Sequence, residues 1–159
     1  MESNSTKIIA WWGAILASIV FLWDVFKWLT SGPKIRLTIQ TNMQTINNPL
    51  FDGEKIIFAE VVNTGPPTTI TNLSFSWYPD LLSKIKRRPQ KAFVSHNPSP
   101  AQPLPFLLAQ GVLWQGMTTQ DSAIEELASN GRLYCYLYCS HRKKPIERRV
   151  IIHSRQHHR

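Results

Sequence analysis

Hydrophobic and polar positions follow two rhythms along this chain, and the rhythm changes at Ser31-Gly32-Pro33. Upstream, Ile8 to Trp23 contains no charged residue, and continuation through Phe26 makes an apolar helix of about 19 residues, about 28 Å at 1.5 Å per residue. That length matches a bilayer's hydrocarbon core, so residues 8–29 are expected to form a single transmembrane helix after a short polar tail, residues 1–7. Trp11 and Trp12 near one end and Trp23 and Trp28 near the other stand where amphipathic rings prefer the headgroup region, with Lys27 beside them. These five residues are the expected membrane-interface set. The run is long for a signal-peptide core and no small-x-small cleavage site follows, so the segment is expected to be retained as an anchor. Ala10, Ala14 and Ser18 recur every four residues, a small-residue stripe over which a second helix could pack to give a homodimer. The plainer reading is that such residues are common in any membrane helix.

Gly and Pro in the linker, residues 30–33, end the helix, and from Lys34 the period becomes two. Ile35, Leu37 and Ile39 alternate with Lys34, Arg36, Thr38 and Gln40, as a half-buried strand requires. Further strands are predicted at 55–63, 68–78, 92–95, 111–118, 132–140 and 147–152. Asp52-Gly53 and Asn63-Thr64-Gly65-Pro66-Pro67 mark turns, the second joining two strands as a hairpin or as a corner between sheets. In 68–78, Leu73, Phe75 and Trp77 face one way and Asn72, Ser74 and Ser76 the other. In 132–140, Leu133, Cys135, Leu137 and Cys139 oppose Tyr134, Tyr136 and Tyr138. Ser122 with Glu125 reads as a capping box opening one short helix, ended by Asn130-Gly131. Six or seven short strands with one helix predict a mainly β, immunoglobulin-like β-sandwich over residues 34–152, followed by a basic, disordered tail, 153–159.

Roughly 120 of the 159 residues follow the linker, enough for one compact domain. The formal charge of +8 turns attention to anionic partners such as phospholipid headgroups or nucleic acid. Lys27, Lys34 and Arg36 outweigh Lys7 across the helix, which predicts a protein of the cell inner (plasma) membrane with its C-terminal domain in the cytoplasm. Cys135 and Cys139, four apart in one strand, sit about 13 Å apart along it, too far for a disulfide with each other. They read as core thiols.

The stretch FAEVVNTGPPTTITNLSFSW (58–77), with the helix leading into NGRLYCYLY (130–138), resembles the strand, turn, strand and late corner of immunoglobulin-like domains in small membrane-anchored bacterial proteins. The resemblance covers about a third of the chain. It implies a fold and carries no catalytic residue.

No glycine-rich phosphate loop, nucleophile elbow, HExxH or CxxC occurs, so no enzyme and no cofactor is expected. His153, His157 and His158 could ligate a metal from a helical tail but read more simply as solvated, and no metal is expected. The tyrosine row beside Arg132 and Arg142 would suit nucleic acid, yet such a row more often packs within a sheet, and nucleic acid is disfavoured. Two basic clusters are the remaining candidates for lipid or partner contact: Lys84, Lys86, Arg87, Arg88 and Lys91, and Arg142, Lys143 and Lys144. Solvated loops are the alternative reading. The expected function is a membrane-anchored interaction or accessory module without catalytic activity, contacting the bilayer and a protein partner through the proline-rich and basic loops between Pro79 and Pro105. A membrane-surface domain that binds anionic lipid is the alternative, and an uncharacterised enzyme or a nucleic-acid-binding domain the further one.

Overall fold

The computed structural model describes residues 4–45, 53–96 and 98–152. The start of the N-terminal tail, the Asp52 half of the first turn and the C-terminal tail with His153, His157 and His158 lie outside the described residues. The chain divides into two compact units, Met1–Gly32 and Pro33–Arg159.

Helix α1 (Asn4–Thr30) holds the whole apolar run, and its stretch Ile8–Trp28 is long and apolar enough to cross a membrane, with none of it buried against other parts of the protein. Its exit is tied off by Ser31, whose hydroxyl and amide both donate to the Trp28 carbonyl, at 2.8 and 3.4 Å. The stripe of small residues is exposed, and the Ser18 hydroxyl donates to the Ala14 carbonyl of its own helix at 2.8 Å.

The second unit contains β1 (Ile35–Gln44), β2 (Lys55–Asn63), β3 (Thr68–Tyr78), α2 (Leu81–Ile85), β4 (Lys91–Val94), β5 (Phe106–Leu108), β6 (Leu113–Thr119), α3 (Ser122–Ser129), β7 (Arg132–Cys139) and β8 (Ile146–Val150). Strands pair antiparallel in two sheets, β1-β2-β6 and β4-β3-β7-β8, with β5 on the same edge of β3 as β4. The first sheet occupies the places of strands A, B and E of an immunoglobulin-like sandwich, and β3, β7 and β8 those of C, F and G. The turn after β2 is thus a corner between sheets. Its Asn63 is fully buried: its amide donates to the carbonyls of Pro66 and Leu108 at 2.8 and 3.0 Å, and its carbonyl accepts from the Gly65 amide at 3.0 Å.

Alternation puts Leu37, Ile57, Ala59, Val61 and Trp114 of one sheet against Ile70, Leu73, Phe75, Leu133, Cys135 and Leu137 of the other. Both cysteines are free and buried, as the strand geometry requires, and burial pushes the Cys135 thiol up to about 12. Sequence reading and structure differ at three places. Strand β5 and helix α2 were not anticipated, because three and five residues are too few to show a period. The cap of α3 is Asp121, whose carboxylate accepts from the Ile124 amide at 2.7 Å, one residue before the expected Ser122. Glu125 instead pairs with Lys55 at 2.9 Å and accepts from Gln120.

The proline-rich segment is folded onto the outer edge of β6. Gln102 accepts from the Gln115 amide at 3.1 Å and donates to the Leu113 carbonyl at 3.1 Å, while the Met117 amide donates to Pro98. These contacts occupy backbone groups that an uncovered edge strand would offer to another chain.

Candidate functional site

The inward side of β7 is filled by Leu133, Cys135, Leu137 and Cys139, so Tyr134, Tyr136 and Tyr138 are forced onto the sheet's outer face. Register places Ser74 beside Tyr136 and Ser76 beside Tyr134, with Tyr136 opposite Glu147 on the other flank. Small serines on β3 leave a trough there. Asp80 caps α2 by accepting from the Ser83 amide at 2.6 Å, which holds the Asp80 carboxylate below the usual range. Helix α2 thereby turns back towards the sheet, and the chain then reverses through Arg87, at φ 52°, so that Gln90 bonds to the Trp77 carbonyl at 3.1 Å and β4 begins.

Lys84 is the link between that helix and the face. Its side chain is 15 % exposed, its ammonium lies 4.6 Å from the centre of the Tyr134 ring and 5.9 Å from those of Tyr78 and Tyr136, and it pairs with Glu147 at 2.7 Å. Tyr78 and Tyr136 are buried and share a hydroxyl–hydroxyl bond of 2.9 Å. Burial and that bond push the Tyr136 hydroxyl well above its ordinary range, so it stays protonated. Replacing Lys84 by alanine removes the cation from three rings and is expected to cost about 1–2 kcal/mol. Denaturant midpoints of the full chain would measure it, and a change below a few tenths would show that α2 does not depend on Lys84.

Beyond Lys84 the trough opens into a groove of about 550 Å³, whose floor includes Ser76, Tyr78, Tyr136 and Tyr138 and whose rim includes Arg87, Arg142, Lys144 and Glu147. The two basic segments read from the sequence therefore meet across one groove, although 54 residues separate Arg87 from Arg142 in the chain. Not every member takes part. Lys86 caps α2 and, with Arg88, Lys91 and Lys143, is exposed without lining the groove, while Lys84 is committed to Glu147 and the rings. Trp11, Trp12, Trp23 and Trp28 are exposed along α1, and Lys27 lies in its last turn.

The groove is lined by cations and aromatic hydroxyls. Three cations face one carboxylate, which Lys84 already pairs, and the remaining polar groups are hydroxyls. Arginine and lysine present donors to an anion, and tyrosine adds a flat apolar surface with a donor at its tip. Among the described residues no three of His, Cys, Asp and Glu come together in a way that could hold a metal ion. Comparison of the chain with protein-family models, curated proteins and solved structures returned no match.

The turn between β7 and β8 is held to the corner after β2. Ser140 exchanges bonds with Thr69 through its amide and hydroxyl at 2.9 and 3.2 Å, and Thr68 meets the His141 ring at 2.7 Å. Partial desolvation and then neighbouring Arg142 hold the His141 imidazole below its ordinary value of 6.5. The unfolded chain accordingly takes up the proton first as pH falls. The contribution of this contact to folding is complete above about pH 6.5 and is lost as pH falls towards the lower folded value. Protection factors of amides in the turn, corrected for the intrinsic exchange rate at each pH, should therefore fall on acidification from pH 7 to 5, and His141→Asn should flatten that dependence. An unaltered profile in the variant would exclude His141 as its source.

Tyr78, Glu147 and the groove itself were not singled out from the sequence. A usable signal was present: Asp80 and Ser83 around Leu81-Leu82 have the spacing of a helix start.

Proposed function

We propose that this chain is a single-pass, membrane-anchored binding module without catalytic activity, whose binding surface is the groove on the outer face of the β3-β7-β8 sheet. The observation that carries the reading is the convergence of Arg87 and of Arg142 and Lys144 over exposed Tyr138 and buried Tyr136. Side chains from three separate segments make one cationic, aromatic-floored concavity, with little in it to transfer a proton at neutral pH. The apolar run Ile8–Trp28 supports the anchoring half of the proposal. The excess of Lys27, Lys34 and Arg36 over Lys7 supports an orientation with the sandwich on the cytoplasmic side of the plasma membrane.

A photo-crosslinking amino acid introduced at Tyr138 of the full chain in native membranes tests the binding surface. Thr38, exposed on the other sheet, is the control position. Strong adduct formation from position 138 and little from 38 is expected. Equal or absent labelling would exclude the groove. Paired C-terminal reporters, one active only in the cytosol and one only outside it, test the orientation, and activity of the external reporter would reverse it.

A further inference from the structure

We infer that the groove takes the phosphate-bearing headgroup of an anionic phospholipid from the membrane that the chain's own helix spans. This inference rests on the binding-module reading and names the ligand class of the same site.

The first argument is position within the sandwich. The Thr64 amide donates to the Lys34 carbonyl at 2.9 Å, so the corner after β2 sits where the chain arrives from the helix. That corner holds the β7–β8 turn through Thr68 and His141 and through Thr69 and Ser140. Arg142 and Lys144 are consequently at the end of the sandwich that bears Lys34. Four residues, Ser31 to Lys34, lie between α1 and β1, a stretch that reaches no more than about 14 Å when fully extended. The basic turn thus shares the end of the sandwich at which the linker enters it.

The second argument is complementarity. A phosphodiester needs charged donors in a fork and tolerates few carboxylates nearby, and Arg87, Arg142 and Lys144 supply the cations. Glu147 is neutralised by Lys84 at 2.7 Å. Tyrosine is a residue of the membrane interface, where its ring meets apolar matter and its hydroxyl meets water, and Tyr138 is 39 % exposed at the groove.

The third argument is the surface beside the groove. Leu81, Leu82 and Ile85 of α2 are 49, 66 and 68 % exposed, and they are followed directly by Lys86, Arg87 and Arg88. Aliphatic side chains bordered by cations are the composition of segments that lie in a membrane interface. In water the same leucines would be an uncovered apolar patch.

Each cation near an anionic surface contributes a factor of about five to docking, so the three together favour it by on the order of a hundredfold. The test uses the full chain in nanodiscs of phosphatidylcholine alone or with phosphatidylglycerol, read by hydrogen–deuterium exchange. Residues 81–91 and 138–147 are expected to exchange about tenfold or more slowly in the phosphatidylglycerol discs, with the protection lost at high salt. Substitution of all three cations, R87E with R142E and K144E, should abolish it while exchange of β2 stays unchanged. Should that variant misfold, the salt arm on the unaltered chain decides alone.

Equal exchange in both lipids, or indifference to salt, would overturn the inference. Protection by inorganic phosphate in phosphatidylcholine discs would reassign the groove to a soluble phosphate compound. A protein adduct at position 138 in native membranes would overturn the lipid assignment and leave the binding-module reading standing, whereas no adduct at all would remove both.

Discussion

Replacing Trp114 by alanine is expected to destabilise the sandwich by about 3–5 kcal/mol. The side chain is fully buried at the centre of the core, and its ring lies so close over Gly116 that a Cβ there would come within 2.5 Å of it. Its indole N–H also donates to the Gln102 carbonyl at 2.9 Å, and Gln102 is the residue that covers the backbone of β6. Alanine would empty the core and release that cover in one step. A domain of this size has a stability of about 5–15 kcal/mol, so the loss is a large share of the total. At about 4 °C per kcal/mol the melting temperature should fall by roughly 12–20 °C. Thermal melts of the full chain in detergent would measure it, with Trp11→Ala as the control that leaves the sandwich unchanged. Freed of Gln102, β6 would also expose an unpaired edge, and the variant should aggregate on heating where the parent does not. A fall of less than 1 kcal/mol would mean that the loop and the core are not coupled through this indole.

Asn63→Ala has the second largest expected effect, about 3–4 kcal/mol, because one buried amide satisfies three backbone groups at once. Removing it leaves the carbonyls of Pro66 and Leu108 and the amide of Gly65 without that partner, in a place sheltered from water. The corner would loosen, and with it the β7–β8 turn that carries Arg142 and Lys144. Asn63→Asp separates the hydrogen bonds from the volume. A carboxylate there would face two carbonyls with no proton to donate, so its pKa in the folded protein would be raised. A raised carboxyl value favours folding below the unfolded value, near 3.9, and loses that advantage as pH rises. The aspartate variant should therefore be less stable at pH 7 than at pH 4 relative to the parent, whereas the alanine variant should show no such slope. Denaturant titrations at the two pH values measure both, and equal stability of the aspartate variant at each would contradict this account of the site.

Much of the sandwich was legible because burial imposes a period of two on a strand with one covered face. Ile35, Leu37 and Ile39, then Leu73 and Phe75, then Leu133, Cys135 and Leu137 reveal their faces by alternation alone. The proline-rich loop, expected as a contact surface, is itself partly engaged within the sandwich. Pro98 and Gln102 are engaged with β6, a pairing that depends on where a distant strand's edge lies. The basic residues were visible as charges, but charge in a sequence carries no partner. Lys84 and Arg87, three apart, have opposite roles: one is enclosed by tyrosines and Glu147, the other stands at the groove rim.

The sequence by itself determined the apolar helix, the two-sheet class, the turn at Asn63 to Pro67 and the separation of core from tyrosine face, while the sheet assignment made that turn a corner. These follow from local composition, periodicity and turn chemistry, which act over a few residues. Only the tertiary structure decided that Arg87 meets Arg142 and Lys144 across one groove, that Lys84 is withdrawn from it, and that Gln102 seals β6. The reason is physical: strand register and the path of α2 over the sheet are set by the simultaneous packing of side chains from both sheets, a condition that no single stretch of the chain contains.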